Sequence, residues 1–293
     1  MLIIQYIVDG VMIGLIYGLI ALAFNIIYRS GRILNLAQGQ IICLGAFFVW
    51  TAISFMKLPM FWGFLLVLGV FFIVAILIEE IVFKPLIGQN LFAITIATVA
   101  LMIMLDGAMQ MIWGARERPF PVFLPMDPYI IAGTIITKQL IGAAIAAVLL
   151  IVGLNYFFLK NKWGLSLSAI AEDHMIAQSM GISVRKSILI AWIISSFISV
   201  VIAVFLLNGA SFSFKTSSIG LRAVPVALLA GLESISGAVL AGLIIGIGEA
   251  LSGYFLDEYT EGIMSQAFPF IVMIAILIIR PQGLFGWKII ERV

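Results

Sequence analysis

The chain has 293 residues, 63% of them hydrophobic and only 10% charged. A soluble domain carries roughly 25% charged residues to keep its surface wetted, so a chain this apolar takes lipid as its solvent. Its net charge of +2, from 16 basic and 14 acidic residues without a basic run, excludes a nucleic-acid footprint.

Spanning the hydrocarbon core takes about 20 helical residues. Apolar runs that meet or approach this length are 2–28, 41–56, 61–78, 91–113, 140–158, 188–207, 224–251 and 263–279. The first run contains no Lys or Arg, so the positive start of a cleavable leader is missing and the run is expected to stay as a spanning helix. Gly10, Gly14 and Gly18 lie four apart on one face of it, and Ala238, Gly242, Gly246 and Ala250 repeat the pattern late in the chain. Small residues at this spacing let helix backbones approach closely, either within the chain or against a second copy.

After Arg29 and Arg32 come Asn35, Gln38 and Gln40, beside Gly39, where a helix can break. Unwound backbone at membrane depth is tolerated where it lines a cavity or is buried in protein. These three residues are therefore candidates for lining a translocation pathway, with structural capping as the other reading. The single cysteine, Cys43, excludes an intrachain disulfide. The single histidine, His174, has no His or Cys neighbour, so no metal site is expected.

Basic flanks mark the cytoplasmic ends of membrane helices. Lys160, Lys162, Arg185 and Lys186 bracket one polar loop, which is placed in the cytoplasm. Counting back, the Arg29/Arg32 and Lys84 loops join it, the N-terminus lies outside, and the loop with Arg116 and Arg118 is external against the rule. Counting forward, the acidic stretch 257–261 reads as external and the tail with Arg280, Lys288 and Arg292 as cytoplasmic. One helix over 224–251 cannot satisfy both, so 211–251 is expected to enter and return. It would break near 233–237, with Pro225, Gly231 and Gly237 as breakers. The expected fold is all-α: a single transmembrane domain over 1–293, a polytopic helical protein of about 8–9 transmembrane segments with a broken or re-entrant helix near 211–237.

Within the cytoplasmic loop, residues 166–182 can form a short helix. Ser166 or Ser168 is placed to cap its start, Gly181 its end, and Ser183 the start of the next membrane helix. Ile170, Met175, Ile176 and Met180 give it an uneven apolar surface, suited to a cytosolic partner or to the lipid headgroups. Asp9, Asp106 and Glu249 lie inside apolar runs, and Arg222 at the edge of one. A charge in lipid costs about 2.5–3.5 kcal/mol, so each is expected to face protein or water. Gln110 is the neighbour expected for Asp106, one turn along the helix. No Ser/His, HExxH or paired-Asp arrangement within the spans indicates an enzyme.

Four stretches carry a resemblance. Ala171-Glu172-Asp173 through Gly181-Ile182 resembles the coupling-loop motif of ATP-binding-cassette importers, in the form found in high-affinity branched-chain amino-acid permeases. Three other stretches agree, in the same order along the chain as in that family. Arg32–Gln40 resembles its Asn-Phe-Ala-His-Gly-Glu signature, Gly220–Ala238 its long glycine-rich stretch, and Arg280-Pro281-Gln282-Gly283-Leu284-Phe285-Gly286 its C-terminal motif. Gln38 and Gln40 stand where His and Glu are usual. Neither can titrate, which puts proton or charge handling at those positions, and the substrate carried, in question.

The resemblance implies a non-enzymatic permease subunit of an importer for branched-chain amino acids or related small amino acids and amides, in a bacterial cytoplasmic membrane. It implies a second related permease or a second copy, two ATP-binding subunits and a periplasmic substrate-binding protein. Ala171, Glu172, Asp173, Ala177 and Gly181 would then couple to the ATPases, with 166–182 moving as a rigid lever. ATP and Mg would belong to the partners, since this chain has no phosphate-binding Gly-x-x-x-x-Gly-Lys-Ser/Thr loop. The alternative is an ion-coupled secondary transporter working without an ATPase, which would need intramembrane acids for its ion.

Overall fold

The structure is a computed structural model that describes residues 2–86, 88–125, 127–131, 134–172 and 174–286. Backbone groups in lipid have no water to bond, so each apolar run closes its hydrogen bonds internally as a helix. In chain order the structure begins with α1 (Leu2–Gly31), α2 (Gln38–Trp50), α3 (Met60–Ile78) and α4 (Leu91–Trp113). A π-helical turn, Thr51–Phe55, prolongs α2. A π turn and a 3-10 turn carry α3 to Leu86. Next come the short strands β1 (Arg118–Pro119), β2 (Pro128–Ile131) and β3 (Thr134–Thr137), then α5 (Lys138–Lys160), α6 (Lys162–Glu172), α7 (His174–Ser179) and α8 (Val184–Leu207). The strand β4 (Ser211–Phe212), a 3-10 turn at Phe214–Ser218, α9 (Ile219–Ala230), α10 (Ile235–Thr260) and α11 (Ile263–Ile279) complete it. Among the described residues, 7 helices are long and apolar enough to cross a membrane, and α11 is a shorter apolar helix. The protein is thus a polytopic helical membrane protein.

The run 224–251 is divided, as charge balance required. α9 has 12 residues, about 18 Å at 1.5 Å per residue, and falls short of a core about 30 Å thick. The break occupies 231–234: Gly231 has a φ of +77°, and the Ser234 hydroxyl caps α10 by accepting from the Gly237 N–H at 3.0 Å. Two expected breakers act otherwise, since Pro225 lies inside α9 and Gly237 inside the first turn of α10. The acidic stretch 257–261 is no free loop. α10 continues through it to Thr260, and Asp257 Oδ1 accepts from the Ser265 N–H at 2.9 Å, tying α10 to α11.

The chain forms two compact units. The first comprises Met1–Asn25, Leu124–Gly153 and Arg222–Val293. Its spine is the meeting of α1 with α10, where the two small-residue faces oppose each other. A Cβ added at Gly14 would lie 2.6 Å from the Gly242 carbonyl oxygen, and one at Gly18 2.8 Å from Val239 Cα. The seam foreseen as internal or intermolecular is thus internal. In the same unit the tail turn docks on the end of α9, with the Leu284 N–H donating to the Leu229 carbonyl at 2.7 Å. β2 and β3 form a hairpin with Tyr129 opposite Ile136.

The second unit comprises Ile26–Phe123 and Leu154–Leu221. In it α2 is the buried element, packed by α3, α4, α8 and the 3-10 turn. Phe47 stacks on Trp113 with centroids 5.0 Å apart, and Phe83 on Trp192 at 4.7 Å. Outward faces of α3 and α4 present Phe61, Trp62, Phe72, Ile103 and Met111, which water would not tolerate and lipid does. β1 pairs with β4, and Arg118 lies over the Trp50 ring at 4.3 Å while donating to the Trp113 carbonyl. That cage holds a charge that the flanking-charge rule left unexplained on this loop.

Candidate functional site

The segment between α5 and α8 belongs to the second unit. Its helix begins earlier than expected, at Lys162, because Asn161 does the capping: its Oδ1 accepts from the Trp163 N–H at 2.9 Å. Ser166 instead donates to the Lys162 carbonyl at 2.8 Å, and Ser168 accepts from Arg29 Nη2 at 2.9 Å. Gly164 permits the tight turn out of α5, since a Cβ there would meet Phe158 Cα at 2.6 Å. Leu167, Ile170, Ala171 and Ala177 are buried and seat α6 and α7, whereas Glu172 is exposed, as are Ile176 and Met180 at 61% and 75%. Asp173 lies outside the described residues. Gly181 ends α7 at a φ of +80°, with the Ile182 N–H returning to the Ala177 carbonyl at 3.1 Å. Ser183 caps α8 by accepting from the Lys186 N–H at 3.4 Å.

Sequence reasoning missed the two residues that hold this segment. Arg29 lies over the Phe158 ring at 4.3 Å while bonding Ser168, and Arg32 donates to the Ala171 carbonyl at 3.3 Å. Their only signal was two arginines at the end of a spanning helix, which had been spent on orientation.

Asn35, Gln38 and Gln40 stand together at the start of α2, all buried. Asn35 caps locally, accepting from the Ala37 N–H at 3.2 Å and donating to Gln38 Oε1 at 3.1 Å. Gln38 reaches α8, donating to Ser199 at 2.7 Å and accepting from Ser195 at 3.2 Å. Gln40 donates to Asp106 Oδ2 at 3.2 Å, and Ser217 donates to Oδ1 at 3.2 Å. The neighbour expected for Asp106 is therefore displaced: Gln110 donates to its backbone carbonyl, and the carboxylate turns to α2 and the 3-10 turn. A residue four along the same helix faces the backbone as readily as the side chain, while the carboxylate finds two donors across the bundle. The start of α2 lies against the start of α9 at Gly39 and Gly220, where a Cβ on Gly39 would sit 2.8 Å from Gly220 Cα.

The other two acids belong to the first unit. Asp9 is exposed and accepts from Gln5 at 3.1 Å. Glu249, near the middle of α10, accepts from the Tyr17 hydroxyl of α1 at 3.3 Å, and Arg222 in the first turn of α9 interacts electrostatically with both. The spacing in sequence gave no warning of this triad.

Comparison with known proteins follows the same pattern. Residues 6–277 match the family model described as the branched-chain amino acid transport system / permease component. The chain is 26% identical over 99% of its length, and 97% of the relative's, to the Pseudomonas aeruginosa high-affinity branched-chain amino acid transport system permease protein BraD. It is 30% identical over 94% of its length, and 90% of the relative's, to the probable branched-chain amino acid transport permease protein LivH of Methanocaldococcus jannaschii. A solved structure described as PsaBC from Streptococcus pneumoniae in complex with Fab aligns over 94% of this chain and 91% of that one, at 15% identity and a TM-score of 0.48.

Proposed function

The chain belongs to the permease-component family of branched-chain amino acid transport systems, and from that premise we propose that it is one membrane subunit of an ATP-driven importer. Its cargo in this reading is a branched-chain amino acid or a small relative of one. The observation that carries the reading is the family match over 6–277, which reaches from the first turns of α1 nearly to the end of α11. It works with a second permease, related or identical, two ATP-binding subunits and a periplasmic binding protein. ATP and Mg are handled by those ATP-binding chains. The N-terminus lies outside and the C-terminus in the cytoplasm.

Ala171, Glu172, Asp173, Ala177 and Gly181 form the ATPase-coupling segment in this reading, with Glu172 on its outer face and the buried Ala171 and Ala177 seating it. Support comes from the exposed Glu172, Ile176 and Met180 on a segment whose other face is buried and tied to α1 by Arg29 and Arg32. A helix anchored this way transmits a push from its outer face to the transmembrane bundle. Asn35, Gln38 and Gln40 we assign to the wall of the pathway, held in register by Ser195, Ser199 and Asp106. The test is to purify the tagged chain in mild detergent, identify what accompanies it, and measure leucine uptake in proteoliposomes with ATP inside and binding protein outside. Two ATP-binding chains, a permease partner and ATP-dependent uptake are expected. Recovery of this chain alone, transporting without ATP, sinks the reading.

A further inference from the structure

The importer reading leaves open where the membrane subunit itself meets its cargo. In the first unit Tyr17, Arg222 and Glu249 converge from three helices, two of them at mid-length. Tyr17 is buried, while Arg222 and Glu249 are half-buried. Glu249 Oε1 accepts from Tyr17, but its Oε2 is buried without a hydrogen-bond partner. Arg222 interacts with both neighbours, yet among the described residues no carboxylate comes within 4.0 Å of it. Opposite charges in a low-dielectric interior attract strongly. A pair present only to neutralise itself would have closed. Here Glu249 rides on α10, locked to α1 by backbone contact at Gly14 and Gly242, and Arg222 rides on a separate short helix.

A gap between fixed opposite charges suits a ligand that carries both signs. A lone anion would satisfy Arg222 and leave Glu249 uncompensated, and a lone cation would do the reverse. A zwitterion completes both and adds no net charge at mid-depth.

We propose that Arg222, Glu249 and Tyr17 form a binding site for the zwitterionic head of an α-amino acid, Arg222 taking the carboxylate and Glu249 the ammonium. Tyr17 is the positioning residue, fixing the Glu249 carboxylate through Oε1 so that Oε2 stays available. The substrate class rests on the importer reading, whereas the placement of the site is independent of it.

The experiment is equilibrium binding of [3H]leucine to the assembled complex in nanodiscs without the binding protein, with leucinamide (no carboxylate) and 4-methylpentanoate (no ammonium) as competitors. Saturable binding is expected, with each competitor weaker than leucine by about tenfold or more, the loss of one charge-assisted contact. Arg222→Gln should erase the advantage of leucine over leucinamide, and Glu249→Gln its advantage over 4-methylpentanoate. Tyr17→Phe, which keeps the ring, should weaken binding without changing which competitor is preferred. Should the charge variants fail to assemble, discrimination by the unaltered complex and by Tyr17→Phe still decides. The site is overturned if assembled variants discriminate as the parent does, or if a complex that imports leucine with ATP shows no saturable binding up to about 10 mM. A parent complex without ATP-dependent leucine uptake overturns the importer reading instead.

Discussion

Gly14→Ala is the smallest change that tests how the first unit is built. The new Cβ would lie 2.6 Å from the Gly242 carbonyl oxygen and 2.9 Å from Leu243 Cα, both backbone atoms that no rotamer change can move aside. Carbon contacts are optimal near 3.5–4.0 Å, so the two helices must part by about 1 Å at this point. Parting there loosens the next contacts along the line, since Gly10 and Gly18 face Ile247 and Val239 just as closely. Overpacking of this kind costs about 1–3 kcal/mol, against at most about 1 kcal/mol recovered from the better helix propensity of alanine. The net expectation is destabilisation by about 1–2 kcal/mol. Gly153→Ala in α5 is the control, because nothing lies within 4 Å of its added Cβ. Its expected effect is neutral to stabilising by up to about 1 kcal/mol. The assay is the temperature at which half the detergent-solubilised protein loses its monodisperse elution peak. Gly14→Ala should fall below the parent and Gly153→Ala should not. Equal midpoints for the two would refute the argument from backbone contact.

Four other outcomes are expected. Gly181→Val places a β-branched residue at a φ of +80° and should distort the end of α7 at a local cost of about 1–2 kcal/mol, so ATP-dependent uptake falls several-fold while the complex still assembles. Uptake equal to the parent's in an assembled complex would count against the lever. Arg29→Lys keeps the charge but loses the stack on Phe158 and the reach to Ser168, and faster amide exchange across α6 checks it. Gln38→Leu removes the partner shared by Asn35, Ser195 and Ser199 and should lower stability by about 1–3 kcal/mol, seen in the same thermal assay. Cys43 is buried with its thiol facing the Ser213 carbonyl, so a membrane-permeant maleimide should label the chain only after denaturation, which gel-shift counting will show.

How much could be read without coordinates followed the range of each interaction. Spanning helices were legible because lipid forces backbone groups to pair within each run, a constraint that acts residue by residue. The interruption at 231–234 was legible for a different reason: flanking charge, read as marking opposite sides for the acidic stretch before α11 and the basic tail, could not be reconciled with one unbroken helix over 224–251. Its mechanism was less so. Pro225 was read as a breaker, but it lies mid-way along α9, which continues through it, as helices in lipid do where neighbours satisfy the freed backbone group. The small-residue faces of α1 and α10 were visible as patterns, while their pairing with each other was not. What stayed hidden was distant in sequence. Arg29 finds Ser168 139 residues away, Ser217 finds Asp106 111 residues away, and Tyr17 finds Glu249 232 residues away. No local pattern announces a partner at such separations.

The motif stretches make sense together once α9 is seen as the element they serve. A helix of 12 residues cannot span the membrane and cannot hold its depth by length alone. Its position has to come from contacts at its ends. At its start Gly220 meets Gly39 backbone to backbone, which brings the Arg32–Gln40 stretch into play. At its far end the Gly231 turn meets Gly283, and Leu284 bonds Leu229, which brings in the Arg280–Gly286 stretch. Two of the four stretches thus hold the short helix of a third through glycines, where a side chain of any size would shift the backbone. The fourth, from Ala171 to Ile182, is tied to the end of α1 by Arg29 and Arg32 just before the Asn35–Gln40 stretch begins. Force applied to α6 and α7 therefore reaches, within a few residues of chain, the stretch against which α9 begins. Arg222 lies two residues beyond that contact. In the proposed importer, a push on α6 and α7 would travel through the Arg29 and Arg32 hydrogen bonds, a few residues of chain and the Gly39–Gly220 contact to the residue that we assign to the substrate carboxylate.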